Sequence, residues 1–277
     1  MISKSNSAKP DYMRQRVLGK LKSYTVPNGV TEILPYTFYR CGWNNYHEIS
    51  SSPYYVFNGT QIHLPDSIIN IGSNAFQGGS HTIVSGKFVE IIHSIPHIPS
   101  NLKTIGAFAF NYCRFPNGFI LPNTVTTLGK QGLIVANTVD IPGSIKQLED
   151  QHFSTANVVN VILRNGIEKL NGRVFEQCRN LKTVSLPNSI TYTNTATLIP
   201  FSGCSNLESV TLEQGFNASI KLNNSTKYSH DNILSWFNAL YDRSADTTNT
   251  LTIGSTNLAK MTAQEIAIAT AKNWTIA

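Results

Sequence analysis

A fixed order of turn, apolar and aromatic positions recurs seven times along the chain. Each copy opens with a turn that ends in Val, Ile or Leu, an apolar residue usually follows three positions later, and a bulky apolar residue stands at the twelfth position. The copies begin at Pro27, Pro65, Pro99, Pro122, Pro142, Arg164 and Pro187. The bulky residues are Phe38, Phe76, Phe110, Leu133, Phe153, Phe175 and, displaced by three positions, Phe201. One such unit cannot bury its own apolar side, so the copies must stack.

Each part of the repeat predicts a local structure. Pro followed by Asn, Asp, Ser or Gly favours a tight turn. The alternating apolar stretch before a turn, as in residues 158–163 and 181–186, predicts a short strand. The copies are spaced by 38, 34, 23, 20, 22 and 23 residues, and the last four spacings lie in the range of about 20–29 residues that leucine-rich repeats use. The pattern predicts stacked short strands around an aromatic ladder.

The repeated unit resembles the BspA-like leucine-rich repeat family. Three stretches carry the likeness most clearly, and they are Leu64–Phe76, Ile98–Cys113 and Phe175–Ile190. The resemblance implies a leucine-rich-repeat solenoid of the right-handed β/α horseshoe type, β-rich and with short helical turns. Many members of that family are similar to bacterial surface or host-interaction proteins, so the resemblance also implies binding or adhesion rather than catalysis.

The two ends of the chain have different patterns. Near the C-terminus an apolar stripe with helical spacing is formed by Ile233, Trp236, Phe237, Leu240 and Tyr241. Thr262 and Glu265 have the spacing of a capping box, and residues 251–253 and 274–276 predict short strands. We therefore predict an α/β cap over residues 223–277, because a repeat stack needs its open apolar end covered; a separate ligand-binding domain is the alternative.

Positive charge is concentrated at the N-terminus. The chain carries a net charge of +6, and residues 1–24 account for +5 of it. An apolar helical stripe in this segment is formed by Met13, Val17, Leu18 and Leu21, and it lies beside Arg14, Arg16, Lys20 and Lys22. We predict a basic N-terminal cap over residues 1–24 and a repeat region over residues 25–222. A basic amphipathic helix on an anionic membrane or a nucleic acid is the alternative for the segment, but the neutral remainder gives no reason to expect nucleic acid as a partner.

Composition narrows the class of protein. Charged residues make up only 14% of the chain, whereas Asn, Ser and Thr together number 80 of 277. This excludes coiled coils, acidic disordered chains and long helical bundles, which need many charges. No apolar run reaches the about 18–20 residues of a membrane span, and no secretory signal follows the basic start. A location at the cell surface or outside the cell is suggested only by the family resemblance.

Residues with catalytic or metal-binding chemistry are few. Cys41, Cys113 and Cys178 share one repeat position, joined by Cys204 after the three-residue displacement, and other copies place Gly or Ala there. That position requires a small buried side chain, so we expect unpaired structural thiols. His93 and His97 have a metal-ligand spacing, but Pro96 opposes a helix. We expect no cofactor, no metal and no enzyme activity; a cryptic enzyme is the weakest alternative.

Two long intervals supply the candidate recognition residues. A first insertion, residues 42–61, and a second insertion, residues 77–97, add residues that a repeat of ordinary length does not need. Insertions in repeat proteins often form loops on the binding face. The candidate partner-binding residues are Trp43, Tyr46, His47, Tyr54 and Tyr55. The alternative is that both insertions are irregular repeats whose aromatic rings are buried.

The sequence therefore predicts a protein that binds a protein or a glycan through a repeat scaffold. A structural or receptor-contact component of a phage or similar assembly is the alternative. Neither the identity of the partner nor the oligomeric state follows from these patterns.

Overall fold

The computed structural model of the protein describes residues 23–39, 54–84, 87–193 and 199–277. The chain forms two compact units. The first, called unit 1, contains residues up to Asn117 together with Thr127–Val135, and the second, called unit 2, contains Gly118–Thr126 and Ala136–Ala277.

Unit 1 is built from short strands in two rows. Its strands are β1 (Ser23–Thr25), β2 (Glu32–Ile33), β3 (Tyr54–His63), β4 (Asn70–Ile71), β5 (Gly79–Val84), β6 (Lys87–Ser94), β7 (Thr104–Ile105), β8 (Cys113–Phe115) and β10 (Thr127–Leu128). One row has the order β1-β3-β6-β8, and the other has the order β2-β4-β7-β10. The pairs within both rows are parallel, as stacked copies of one repeat require.

Unit 2 has the same arrangement of rows. Its strands are β9 (Phe119–Ile120), β11 (Ile134–Ile141, which begins in unit 1), β12 (Gln147–Leu148), β13 (Asn157–Leu163), β14 (Lys169–Leu170), β15 (Thr183–Leu186), β16 (Tyr192–Thr193), β17 (Ser209–Leu212), β18 (Ile220–Lys221), β19 (Asn249–Thr252) and β20 (Trp274–Ile276). The rows are β11-β13-β15-β17, with β9 beside β11, then β12-β14-β16 and β18-β19-β20. The strands predicted over residues 158–163 and 181–186 are confirmed. The segments between strands in the described repeats are turns, and the fold is a β-rich leucine-rich-repeat solenoid.

The aromatic ladder is present in both units. In unit 1 the ring of Phe76 stacks between those of Phe38 and Phe110, with ring centres 5.1 and 5.5 Å apart. In unit 2 the ring of Phe175 stacks between those of Phe153 and Phe201, at 5.4 and 5.7 Å. Phe201 therefore belongs to the ladder despite its displaced position in the sequence. Neighbouring ring planes within each stack are inclined by only 3–7°.

The fourth copy departs from the predicted ladder. Leu133 is only partly buried, and the adjacent Ile134 is fully buried. The cause is the buried amide of Gln131, which accepts a hydrogen bond from the backbone N–H of Phe110 and donates to the carbonyl oxygens of Gly106 and Gly129. In other copies the N–H of the ladder phenylalanine donates to a backbone carbonyl oxygen of the next copy, as Phe76 does to Ala109. For Phe110 the side chain of Gln131 takes the place of that carbonyl, and the path of the chain differs here.

The serine of the opening turn ties neighbouring copies together. The Ser67 hydroxyl accepts from the N–H of Gly29 and donates to the carbonyl of Val30, in the preceding turn. Ser189 bonds in the same way to Gly166 and Ile167. The recurring Ser is therefore a link between copies as well as a turn former.

Three helices and a small sheet follow the repeats. The helices are α1 (His230–Ala239), α2 (Ser255–Leu258) and α3 (Ala263–Thr270). The predicted stripe is buried in Ile233, Trp236, Phe237 and Leu240, but Tyr241 lies beyond the end of α1 and is exposed. The predicted capping box of Thr262 and Glu265 is present at the start of α3. The proposed division into segments 1–24, 25–222 and 223–277 stays a prediction.

Helix α1 covers the edge of the long row of strands in unit 2. The side-chain amide of Asn232 accepts from the N–H of Val210 and donates to its carbonyl oxygen. The indole N–H of Trp236 donates to the same oxygen, at 2.6 Å. Val210 lies in β17, the last strand of that row, so side chains satisfy backbone groups that a further strand would otherwise bind.

Candidate binding surface

The first insertion lies only partly within the described residues. Trp43, Tyr46 and His47 are outside them. Tyr54 and Tyr55 open β3, where their backbones pair in parallel with Phe88 and Val89 of β6. The second half of this insertion is therefore a strand of the repeat row, which is the backbone arrangement that an irregular repeat would have. Whether the aromatic rings form a recognition surface stays a prediction.

The second insertion adds a strand of opposite direction. Strands β5 and β6 form an antiparallel hairpin in which Val84 lies opposite Lys87 and Ile83 lies opposite Phe88. The far end of β6 instead pairs in parallel with β8, His93 lying opposite Cys113. The start of β6 thus extends beyond the short strands of the ordinary repeat, between β3 and β5. Together β3, β5 and β6 form a widened sheet that the stacking of repeats does not require.

His93 and His97, the pair with a metal-ligand spacing, lie in different environments. His93 is fully buried, and burial lowers its pKa to about 4, although the backbone of Thr60 acts in the opposite direction. His97 is exposed, and its Nε2 lies 2.9 Å from the carboxylate of Asp66. The pKa of Asp66 is lowered to about 2, chiefly by the backbone N–H of Ser100 and then by His97. Over the described part of the chain, no three His, Cys, Asp or Glu side chains are grouped to hold a metal ion.

The described cysteines are free thiols in the core. Cys113, Cys178 and Cys204 each donate to the carbonyl oxygen of the ladder phenylalanine in the preceding copy, at 3.0–3.2 Å. Burial raises the pKa of Cys113, and that of Cys178 is raised by its hydrogen bond with Cys204 and by burial. Since the thiolate is the reactive form, the raised pKa values keep Cys113 and Cys178 as unreactive thiols in the core. Cys41 lies outside the described residues.

His230 is a structural histidine that links two helices. Its Nδ1 lies 2.9 Å from the carboxylate of Asp231, and its Nε2 lies 2.8 Å from that of Glu265 in α3. These bonds, to Asp231 first and then to Glu265, raise the pKa of His230. Because both ring nitrogens are occupied, the His230–Asp231 pair is not arranged as a general base.

Unit 2 carries a shallow cleft that is lined mostly by residues with polar side chains and is called the polar cleft; the sequence patterns did not single it out. The cleft has a volume of about 400 Å³ and is lined by Thr155, Ala156, Asn157, Gln177, Arg179 and Asn180. The Gln177 side-chain oxygen accepts from Nε of Arg179, and the Asn157 oxygen accepts from the amide of Asn180. These bonds hold exposed amide and guanidinium groups in fixed positions, where they can form hydrogen bonds with a polar partner. In the sequence, the adjacent polar residues Arg179 and Asn180, directly after Cys178, are the feature that could have indicated this cleft.

None of the helices in the described ranges is both long and apolar enough to cross a membrane. Comparison with protein families finds one described as "BspA type Leucine rich repeat region (6 copies)", which matches residues 16–85, 47–132, 81–194 and 135–223. These overlapping matches take in most of the chain. No curated protein matches it.

Several solved structures are similar to the chain at low sequence identity. A leucine-rich cell surface protein of Faecalibacterium prausnitzii A2-165 is 13% identical over 92% of this chain and 88% of its own, with a TM-score of 0.33. A leucine-rich repeat protein of Bacteroides ovatus ATCC 8483 is 16% identical over 83% and 76%, with a TM-score of 0.27. The pneumococcal vaccine antigen PcpA is 16% identical over 92% and 88%, with a TM-score of 0.25. At TM-scores of this size the structural likeness adds nothing to the family match.

Proposed function

Because the chain belongs to the BspA-type leucine-rich repeat family, we propose that it is a non-enzymatic binding protein that uses the repeat stack as a scaffold. The partner is a protein or a glycan, met at the cell surface or outside the cell. The repeated positions are committed to packing and turns, so recognition falls to the residues that escape this constraint.

The widened sheet of β3, β5 and β6 is the observation that carries the proposal. Strand β3 has ten residues, more than any other strand of the described chain, and β6 pairs on one side in parallel with β3 and on the other side antiparallel with β5. Both features fall within the two insertions, and the first of them contains the candidate residues Trp43, Tyr46, His47, Tyr54 and Tyr55. Tyr and Trp supply a large contact area at a small cost in conformational entropy. The insertions are therefore the place where a partner would bind.

The polar cleft of unit 2 is a second feature that supports binding rather than catalysis. Its amides and Arg179 offer hydrogen bonds, and this chemistry suits hydroxyl-rich glycans or the polar rim of a protein partner. His97 and His230 contact carboxylates, and the thiols of Cys113, Cys178 and Cys204 donate to backbone carbonyl oxygens; these structural contacts also favour a binding role.

The test replaces Trp43, Tyr46 and Tyr54 together by Ser. The matched control replaces Tyr192 and Tyr241, two exposed tyrosines outside the insertions, by Ser. Binding of the full chain is measured on a printed glycan array and on immobilised extracellular matrix proteins, and melting temperature is recorded in parallel. We expect the triple variant to lose binding at an unchanged melting temperature, while the control keeps both.

Two outcomes would contradict the proposal. Unchanged binding of the triple variant would remove the first insertion from recognition. A collapse of thermal stability would show that the rings belong to a buried irregular repeat. In that case Arg179→Ser, an exposed change in the polar cleft, would test recognition in unit 2.

A further inference from the structure

The polar cleft of unit 2 lies where two neighbouring copies differ in length. The ladder rings of the fifth and sixth copies, Phe153 and Phe175, are 22 residues apart in the sequence. The equivalent asparagines that follow them, Asn157 and Asn180, are 23 residues apart and bond to each other. The turn after the ladder ring is therefore one residue longer in the sixth copy. Residues of both turns line the cleft, so the cleft is the step between a shorter turn and a longer one.

The additional residue of the longer turn is Arg179. Ala156 and Cys178 occupy the same small buried position of the repeat, and Arg179 directly follows Cys178 without an equivalent in the fifth copy. Its backbone N–H donates to the carbonyl oxygen of Gln177 at 2.8 Å, and its own carbonyl oxygen accepts from the side-chain amide of Asn206 at 2.6 Å. Its Nε donates to the side-chain oxygen of Gln177 at 3.1 Å. The guanidinium group is therefore held in place although the residue is exposed.

The outer edge of this guanidinium group is free to bind a ligand. Within the described part of the chain, neither Nη atom of Arg179 bonds to another residue, and none of the ion pairs there includes it. None of the six residues that line the cleft is acidic. The parallel N–H groups of an arginine match the two oxygens of a carboxylate. The edge of Arg179 is thus suited to a carboxylate group.

Two side-chain amides beside the guanidinium group are oriented as donors. The oxygen of Gln177 accepts from Arg179, and the oxygen of Asn157 accepts from the amide of Asn180 at 2.8 Å. Since each amide has one oxygen and one NH2 group, these bonds direct both NH2 groups away from their partners as donors. Among the described residues, no protein acceptor bonds to either NH2 group. Hydroxyl oxygens can accept such bonds.

The lining of the cleft favours a sugar over a peptide. Besides Arg179 it consists of Thr155, Ala156 and three amide residues, with no aromatic or large aliphatic side chain among these six. Protein partners depend on a few large anchors in well-packed pockets, and this cleft offers no apolar wall for such an anchor. Its volume of about 400 Å³ lies in the lower part of the range of small-molecule sites, about 300–1,000 Å³.

We propose that the polar cleft binds a carboxylate-bearing sugar. The guanidinium group of Arg179 binds the carboxylate, and the amides of Asn157 and Gln177 donate to hydroxyl groups of the sugar. This assignment rests on the binding function proposed above and narrows the partner at this site to an acidic glycan.

A printed array tests the site with the full chain. It carries sialylated oligosaccharides and uronic-acid oligosaccharides, each beside its own carboxylate methyl ester, and poly-glutamate as an acidic peptide. The variants are Arg179→Gln, Arg179→Lys and Asn157→Asp, and the matched control is Arg114→Gln, an exposed arginine of unit 1. All of these side chains are exposed, so we expect unchanged melting temperatures.

We expect the wild type to bind one of the two acidic classes about tenfold or more tightly than its ester, because a charged hydrogen-bonded pair is lost in the ester. Arg179→Gln should lose about tenfold or more of this binding. Arg179→Lys should lose part of it, since lysine keeps the charge but not the paired N–H groups. Asn157→Asp should weaken binding by like-charge repulsion. The control should change binding by less than about twofold.

Several results would overturn the site but leave the proposed binding function standing. These are unchanged binding by Arg179→Gln, equal binding of acid and ester, or dependence on Arg179 that is seen only with poly-glutamate, which would make the cleft a peptide site. A wild-type chain that binds no glycan on the array and no matrix protein would instead remove the binding function itself, and the site with it.

Discussion

Units 1 and 2 each contain the same kind of phenylalanine stack but differ in how neighbouring copies approach at one position of the repeat. Each contains three stacked phenylalanine rings at almost the same spacing. At the position after the inner aliphatic residue, unit 1 has glycines that press on the backbone of the preceding copy, such as Gly106. Unit 2 has Glu149 and Asn171 there instead, and their side chains bond to each other at 3.2 Å.

The difference shows which part of the repeat can vary. The ladder and the turn serine are kept in both units because they join each copy to the next. The contact between neighbouring copies at the position after the inner aliphatic residue varies: in unit 1 a glycine lies against the backbone of the preceding copy, and in unit 2 two polar side chains bond to each other. Unit 1 also accepts a long insertion between successive copies, so the sheet can widen without changing the ladder.

The largest expected effect tests whether the two ladders are equivalent. Phe76→Ala and Phe175→Ala each remove a fully buried ring from the middle of a stack. We expect each to lower the free energy of unfolding by about 3–5 kcal/mol, as loss of a core phenylalanine does. Urea unfolding of both variants measures this. A loss below about 1 kcal/mol in either unit would show that its ladder is not a core column.

The second prediction concerns how the free energy of unfolding depends on pH through His93 of unit 1. An unfolded chain protonates His93 near its ordinary pKa of 6.5, but the folded chain does so only near 4. The unfolded state therefore binds more protons in this window, and stability falls by about 3 kcal/mol as the pH drops from 6.5 to 4. His93→Leu should remove this part of the loss, which urea midpoints at several pH values will show.

His230 in unit 2 gives the opposite sign. Because its folded pKa is raised, its contribution is fully present below the unfolded pKa and is lost as the pH rises through the folded pKa. His230→Gln should therefore remove stability that is present at mildly acidic pH, so that stability falls more steeply from neutral to acidic pH than in the wild type. Identical pH profiles for His93→Leu and the wild type would contradict the assignment of a buried neutral His93.

The third prediction concerns the approach of the backbones. Gly106→Ala places a methyl group within 2.4 Å of the backbone nitrogen of Ser73, and we expect a loss of about 1–3 kcal/mol in stability from overpacking. Asn171→Ala, the matched position in unit 2, should change stability by less than about 0.5 kcal/mol, since its partner Glu149 is exposed. Equal losses in the two units would remove the distinction between them.

The smallest expected effect on stability concerns the turn serine, which both units contain. Ser67→Ala and Ser189→Ala each delete one hydroxyl that bonds twice to the preceding turn. We expect each to cost about 1 kcal/mol, the usual value for a hydrogen bond. The control is Ser205→Ala at an exposed site. A clear difference between Ser67→Ala and Ser189→Ala would mean that the turns are not equivalent.

The repeat made most of the fold predictable. Seven copies sample the same environment, so the ladder position is visible in the sequence even where Phe201 is displaced. The capping box of Thr262 and Glu265 was also predictable, because its signal is local. The role of Gln131 was not, since its three bonds depend on how neighbouring copies are placed.

The candidate binding surface was less predictable than the fold. Aromatic composition singled out the first insertion, of which only Tyr54 and Tyr55 lie among the described residues. The hairpin of β5 and β6 was not predictable from the repeat pattern, because the antiparallel strand β5 belongs to a single insertion and does not recur in the other copies. The polar cleft brings Asn157 and Arg179 together from different copies, and no single stretch of sequence contains that pairing.

The links between copies have a consequence for the history of such chains. Side-chain hydrogen bonds between the turns of neighbouring copies join residues 19 to 38 positions apart, so each copy depends on its immediate neighbours. If unequal recombination added or removed one whole copy, the copies on either side could still stack their phenylalanine rings and form the hydrogen bond from the turn serine to the carbonyl oxygen of the preceding turn. The length of the stack can therefore change in steps of one repeat, whereas α1, whose side chains bind the free backbone groups of Val210, has no equivalent in the repeats.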